Sequence, residues 1–528
     1  MSRAASIDVR FVDARAPVFA KLRRDDGVAP HTRARARAML ARASTRATLR
    51  ASTRATRATT ATRATARRRA RRRELEPKSL RHRRLVPLTA GDGDGGQWSA
   101  GDGDDRLWSN VERGDDGLRR RAGSLGASVA LVAGTTLGAG MLALPLVLRD
   151  AGFVPSTVVI VACWVFFAAT GLCVLEVNLG TMCELGRGGG VSVNAMCRRT
   201  LGDAGVNAAT ASFAFIHYAL LVAYVQKVGE LAVEIWPQVP GGANAASVAY
   251  ATAMSTFLYL ASPAKIERFN SALFAGVVGT FVPLLLLAAR SETTSVDNLL
   301  AVSDWSAAPA TIPIVAVAFV YHQVVPVVAT SLEGDRKRAT TAVLAGTAIP
   351  ALMFILWDAA VLGSVDAGAI DVDPIGALQA SSPLTAALVR GFEFFAVSTS
   401  FLGFGWGLAD FLADGMKTTD IRDPRPWALA LVPPVIFALA CPGVFLAALD
   451  SAGAFGVLVV FGMIPPAMVY RHRQMRDECA LENDPVGCLP VLDPVLPGGA
   501  LTLALMFAFA ASEVGSETIG LARQWFRM

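Results

Sequence analysis

Beyond about residue 124 the chain alternates long apolar runs with short polar connections, the pattern of a polypeptide that crosses a bilayer many times. Eleven runs of roughly 17–25 residues, the length a helix needs to span the hydrocarbon core, lie at 125–148, 156–182, 206–232, 246–262, 270–289, 310–331, 340–363, 384–412, 428–447, 452–470 and 498–516. They read as α-helices, because a lone apolar segment in lipid must satisfy its backbone groups internally. The connections alternate in charge. One set carries Arg119, Arg120, Arg121, Arg187, Arg198, Arg199, Lys265, Arg268, Arg336, Lys337, Arg338, Lys417, Arg422, Arg425, Arg471, Arg473 and Arg476. The other carries Arg149 and Arg290 but is otherwise acidic, with Glu234, Glu292, Asp297, Asp304, Asp366, Asp371 and Asp373. By the positive-inside rule the basic set and the N-terminus face the cytosol or its organelle equivalent, and Met528 faces the other side.

Two of the runs are interrupted. Residues 132–148 read V-A-G-T-T-L-G-A-G-M-L-A-L-P-L-V-L. A glycine costs about 1 kcal/mol in a helix interior and a proline about 3, and a lipid-facing span needs neither. Backbone unwinds at membrane depth only where it is buried in protein or lines a cavity. This predicts a helix broken at 138–140, with a second half-helix starting near Met141 and aiming free N–H groups at an anionic ligand. Span six, I-P-I-V-A-V-A-F-V-Y-H-Q-V-V-P-V-V-A-T-S-L-E-G-D over 312–335, carries Tyr321, His322 and Gln323 at its centre and then Pro326. That places a break just after Tyr321, with Pro326 in the first turn of a new half-helix. Spans one and six each open a set of five. Paired interruptions at matching places point to a transporter with inverted repeats and a midplane site.

Charge separates the chain into two parts. Residues 1–123 hold 30 Lys and Arg against 14 Asp and Glu, a net of +16, while the whole chain is +7, so residues 124–528 carry −9. No acidic residue occurs over 27–73, where S-T-R-A-T units run into Arg67, Arg68 and Arg69 and then Arg71, Arg72 and Arg73. Such composition buries too little apolar surface to fold and matches an organelle transit peptide. An acidic Gly/Asp linker follows at 91–105. We therefore expect a disordered leader and linker over 1–122 and a membrane domain over 123–528. A basic tract can also bind nucleic acid, but joined to a membrane body no such partner is expected. Seven cysteines show no C-x-x-C spacing and read as reduced thiols, with no metal and no cofactor.

Three motifs carry a family resemblance: G-T-T-L-G-A-G-M-L-A-L-P at 134–145, the centre of span six with its His and Pro (321–326), and T-S-F-L-G-F-G-W-G-L-A-D-F-L-A-D-G-M-K at 399–417. Together they resemble the aromatic amino acid permease family, the tyrosine/tryptophan-type permeases of the amino acid/polyamine superfamily, and their plastid relatives. The likeness runs from about Ser124 to the C-terminus, departing at Gln323, Val324 and Val325. It implies an all-α integral membrane protein of 11 transmembrane helices. The implied fold is leucine-transporter-like, a 5+5 inverted repeat with discontinuous helices 1 and 6 plus one extra helix. It also implies secondary active, usually proton-coupled uptake of an aromatic amino acid such as tyrosine or tryptophan. The implied setting is a plastid (chloroplast) membrane, or a mitochondrial one.

An amino acid zwitterion has two ends to be met. Its carboxylate is expected at the N–H groups of Ala139, Gly140 and Met141, where the missing Cβ of Gly140 permits close approach, with Gly134, Thr135, Thr136 and Gly138 counted among the substrate-binding residues beside them. Its ammonium is expected at carbonyls freed near Phe319 and Tyr321, the negative end of a half-helix, beside His322. Phe401, with Tyr218, Tyr224 and Trp406, offers rings for a flat apolar slot. For the coupling proton the titratable candidates are His322, Glu393, Glu230 and Lys227. For Na⁺ the resemblance implies hydroxyls on span eight, here Ser398, Thr399 and Ser400. Asp410, Asp414 and Lys417 read as gate or interface charges, and Asp358, an acid in span seven with no evident partner, is a further candidate. A Na⁺-coupled or broader neutral amino acid carrier, and a non-transporting sensor on the same scaffold, are the alternatives. No ring of like residues marks a channel, and no clustered nucleophile or acid/base set marks an enzyme.

Overall fold

A computed structural model describes residues 111–114, 117–120 and 123–525, apart from 139, 186–190, 292–293, 366–372, 419–422 and 482–492. Of the expected leader, only the end falls within these residues. It forms an antiparallel hairpin of β1 (Val111–Gly114) and β2 (Gly117–Arg120), with Val111 opposite Arg120.

Everything after it is helical. In order come α1 (Leu125–Thr136), α2 (Gly140–Leu148), α3 (Phe153–Leu185), the short α4 (Val193–Thr200), α5 (Gly202–Ile235), α6 (Gly242–Leu260), α7 (Pro263–Ala288) and α8 (Val296–Ala301). Then follow α9 (Ile312–Ala318), α10 (Val325–Ser331), α11 (Arg336–Leu362), α12 (Pro374–Ala380), α13 (Pro383–Met416) and α14 (Pro424–Ala440). The chain closes with α15 (Phe445–Ser451), a π-helical stretch (Ala452–Met463), α16 (Ile464–Leu481) and α17 (Ala500–Trp525). Local chemistry sets the starts. Ser124, Ser192 and Asp335 cap α1, α4 and α11 by accepting hydrogen bonds from Ala127, Ala195 and Arg338 N–H. Prolines stand in the first turns of α7, α12 and α14, where a missing N–H costs nothing.

Among the described residues eight helical stretches are long and apolar enough to cross a membrane, and the bent pair α1–α2 supplies a ninth. The other two expected spans fold as α6 and α14. The 19 residues of α6 include Asn244, Ser247, Thr252, Ser255 and Thr256, and α14 has 17 residues with Pro433 and Pro434 inside. The layers differ in burial. In an 18-residue apolar window of Ala308–Ser331 and of Phe445–Glu478, 72% and 78% is buried, against 11% in that of Ala500–Arg523. The interrupted span six and the π-helical span therefore form the centre, and α17 the periphery. Outward faces expose Val158, Val161, Val165, Leu286, Leu352, Leu356, Ile436 and Leu505, an apolar belt suited to lipid rather than water.

Candidate functional site

The first interruption is a change of direction. α1 ends at Thr136, Leu137 leaves helical geometry with ψ 94°, and α2 resumes at Gly140 on an axis bent by 55°. Met141 N–H donates back to Gly138 O at 3.1 Å, closing a tight turn. Ala139 lies outside the described residues. The hydroxyls of Thr135 and Thr136 turn onto their own helix, donating to Leu131 O (2.7 Å) and Val132 O (2.8 Å), as hydroxyls in apolar helices commonly do. At Gly134 a Cβ would meet only Phe274, at 3.9 Å. Packing does not demand glycine there.

The second interruption spans 319–321. α9 ends at Ala318, a 3₁₀ turn covers His322–Val324, and α10 starts at Val325 with Pro326 in its first turn. Between them Tyr321 takes φ −145°, ψ −6°. The rings at this break are packed into the protein. Tyr321 donates its hydroxyl to Phe167 O at 2.9 Å, and Phe319 packs on Phe354 at 5.2 Å between centroids. His322 is fully buried, stacked between Tyr321 (4.5 Å) and Phe461 (4.6 Å), with the edge of Phe167 at 5.8 Å. Its Nε2 lies 2.9 Å from Thr170 Oγ1, whose own hydrogen goes to Phe167 O.

The two interruptions touch. A Cβ on Gly140 would stand 3.1 Å from Ala318 Cα and 3.3 Å from its nitrogen. Glycine at 140 lets the start of α2 lie directly on the end of α9, so the room a side chain would need holds backbone of the opposing half-helix. Gly138 is held as closely from a third direction, its Cβ position 2.7 Å from Ser400 Oγ on α13. A helix N-terminus, a helix C-terminus and a hydroxyl thus converge at one place. The helix dipole offers an anion the first and a cation the second.

The three span-eight hydroxyls make three different contacts. Successive residues on a helix point about 100° apart. Ser398 accepts from Tyr250 at 3.1 Å, Thr399 donates to Ala396 O at 3.0 Å, and only Ser400 reaches the first break, where Tyr224 is also bonded to it. Phe401 is buried against Tyr250, at 5.6 Å. Tyr218 instead reaches Leu429 O, and Trp406 packs on Trp427. The groove of about 550 Å³ between α6 and α14, lined by Tyr259, Trp427 and Ile436 among others, includes no residue of either break.

The charged candidates lie elsewhere. Lys227 on α5 and Glu393 on α13 form an ion pair at 3.0 Å, with 17% and 1% of their side chains exposed, and Lys227 Nζ sits 6.0 Å above the Phe445 ring. Further along the same two helices Glu234 pairs with Arg390 at 2.9 Å, and Glu230 is exposed. Removing one member of a buried pair strands the other charge, so Lys227→Ala is expected to cost about 3–5 kcal/mol. Thermal unfolding of the detergent-solubilised protein measures this; Lys227→Met with Glu393→Leu should recover most of the loss, and a single variant as stable as the parent would show the pair to be idle.

Several residues of consequence carried no sequence signal strong enough to single them out. Thr170, Phe167 and Phe461 surround His322 from α3 and the π-helical stretch. Glu176 lies in the apolar α3 yet makes a two-pronged bond to Arg473 (2.7 and 2.9 Å) and accepts from Val495 and Leu496 N–H. The π-helical stretch also sits hard against the centre: a Cβ on Gly453 would fall 2.0 Å from Pro313 O. An acid inside an apolar run was the one available clue to Glu176. The described cysteines 163, 173, 183, 197 and 441 are free thiols; Cys488 and the side chains of Cys479 and Asp414 lie outside the described residues.

Comparison with known proteins bears on this geometry. Residues 121–485 match the family described as the tryptophan/tyrosine permease family. The tryptophan-specific transport protein of Haemophilus influenzae is 27% identical over 385 residues, covering 68% of this chain and 90% of that protein. The same organism's tyrosine-specific transport systems 1 and 2 are 28% and 29% identical over 402 residues, covering 73% and 72% of this chain and 96% and 93% of theirs. All are named for transport and none as an enzyme.

Proposed function

The chain belongs to the tryptophan/tyrosine permease family, and on that premise we propose that it is a secondary active transporter moving an aromatic amino acid together with a proton across an organelle membrane. It is a multi-pass integral membrane protein with an all-helical body. The observation that carries the reading is the meeting of the two interrupted helices, Gly140 of α2 against the backbone of Ala318 at the end of α9. In this reading the substrate carboxylate docks at the N–H groups opening α2, over Ala139 and Gly140; the N–H of Met141, expected to join them, is already donated to Gly138 O. Its ammonium docks at carbonyls near Phe319 and Tyr321, and Phe401 closes the slot for the ring. His322 positions the second break through its stacked rings and Thr170 rather than touching substrate. The eleven-span topology takes α6 and α14 as short spans, giving two inverted sets of five and a peripheral α17, consistent with the low burial of that last helix.

A proton is favoured over Na⁺ by the hydroxyls of α13. One of three reaches the break, whereas buried acids are plentiful within the bundle. The Arg-rich, acid-free stretch at 27–73 supports delivery to a plastid or mitochondrion.

Uptake of labelled tyrosine, tryptophan and phenylalanine into proteoliposomes tests the reading. Accumulation driven by an inward proton gradient and competed by the other aromatics is the expected result. Accumulation that follows only a sodium gradient would replace the proton with Na⁺, and binding without movement under either gradient would favour a sensor.

A further inference from the structure

Within α11, one acid stands apart from every charge described above. Asp358 is fully buried, and neither carboxylate oxygen has a hydrogen-bond partner among the described residues. Of the other buried acids, Glu176 and Glu393 each face a cation, while Glu333 and Asp335 lie in the turn between α10 and α11, where Asp335 caps α11. Asp358 faces none.

Its place in the fold is specific. Residues four apart share a helix face, so Asp358 lies on the face of Phe354, whose ring packs on Phe319 at the second interruption. Side chains lean toward the helix N-terminus, which aims the carboxyl back toward that contact. The same helix packs on α1, which leads into the first interruption, with Gly346 lying against Val132. In the other direction α11 ends four residues on, about 6 Å along the axis, and its cap Gly363 has a carbonyl that accepts from Ser295 N–H (3.1 Å) and Asn298 Nδ2 (3.0 Å). Asp358 thus stands between the two breaks and the acidic-loop surface.

The elements packed on α11 offer it no counter-charge. α1, α2, α10 and α12 contain no ionisable residue. Those of α7 (Lys265, Glu267, Arg268) sit in its first turns, at the end away from Gly363. In α3, Cys163 is the nearest ionisable group, while Cys173, Glu176, Cys183 and Glu184 follow toward the far end. Asp297 of α8 and Asp373, which caps α12, are themselves acids. On α13, whose Phe392 packs on Trp357, Glu393 is bound to Lys227 and Arg390 to Glu234. A carboxylate so enclosed is strongly disfavoured in its charged form, whereas the neutral acid fits.

Resting on the reading of a proton-coupled carrier, we propose that Asp358 is the group that carries the coupling proton. It is a neutral acid in the arrangement that encloses it, and it releases the proton when movement of α9 and α2 past Phe354 admits water from one side. The balance is simple: one proton binds an oxygen of Asp358 on the side where substrate enters and leaves from the same oxygen where substrate departs. Closing around substrate requires the neutral form, which makes substrate and proton move together.

Asp358→Asn imitates the neutral acid permanently, so it separates exchange from uphill transport. In proteoliposomes bearing the full chain, this variant is expected to exchange internal unlabelled for external labelled tyrosine within about twofold of the parent rate. Its accumulation under an inward proton gradient should fall to the level without a gradient, and Asp358→Glu should restore it. An Asn variant that still accumulates tyrosine under the gradient overturns the proposal. So does one that loses exchange as well, with Asp358→Glu restoring neither, because Asp358 is then a packing residue. If the parent itself exchanges tyrosine but ignores the proton gradient, the proton-coupled reading has failed rather than the choice of residue alone.

Discussion

Gly140→Val is expected to lower substrate uptake by about 100-fold or more while leaving the protein folded and inserted. The reason is distance. The first added carbon stands 3.1 Å from Ala318 Cα, inside ordinary contact, and the obstacle is main chain that no rotamer change can move aside. Valine adds two further methyl groups, so the start of α2 and the end of α9 must separate. A displacement near 1 Å at a site that positions its ligand can cost about 100-fold. Gly134→Ala is the matched control: its Cβ would meet nothing closer than 3.9 Å, and uptake should be retained. Labelled uptake, with size-exclusion profiles to verify folding, reads both. Full activity in the Gly140 variant would remove the meeting of the two helices as the substrate site.

The largest effect on stability is expected at Glu176. Its carboxylate takes two bonds from Arg473 and two from the N–H groups of Val495 and Leu496, while Arg473 also donates to Leu496 O and Gly498 O. One side chain thereby ties α3, α16 and the segment leading into α17. Glu176→Ala leaves the Arg473 guanidinium without its counter-charge and two buried amides without an acceptor. Loss of one partner from such a pair costs about 3–5 kcal/mol, a large part of the 5–15 kcal/mol that holds a typical domain together. Reduced yield and a markedly lower unfolding temperature are expected, with Glu176→Gln intermediate because it keeps one acceptor. An unfolding temperature unchanged in Glu176→Ala would mean that water or lipid replaces the network.

How much of this was legible beforehand depended on the kind of interaction. Helical spans follow from a one-dimensional rule, apolar residues over the width of a bilayer. Even that rule faltered at α6 and α14, where polar residues and prolines thin the signal. Gly138, Gly140 and Pro326 announced themselves because they are costly in a helix and absent from a merely greasy span. Their partners did not. The expectation that the missing Cβ of Gly140 makes room for a carboxylate meets backbone of Ala318 in the same space, a contact between residues 178 positions apart. Thr135 and Thr136 looked like site hydroxyls and turn to their own helix, because an i−4 carbonyl is always within reach.

Charges divide in the same way. Lys227 and Glu393 were each visible as ionisable residues at membrane depth, yet that they neutralise one another depends on α5 lying beside α13. Glu176 and Asp358 look alike in sequence, single acids inside apolar runs. One is held by Arg473, 297 residues away, and the other by nothing. What the sequence by itself determined is what each residue carries with it: apolar length, loop charge, helix-breaking backbone and the family motifs at 134–145 and 399–417. Which residues meet was decided only by tertiary structure, because contacts between distant segments depend on how helices pack rather than on local propensity. The same packing distinguishes an acid that stabilises the bundle from one left free to take up a proton.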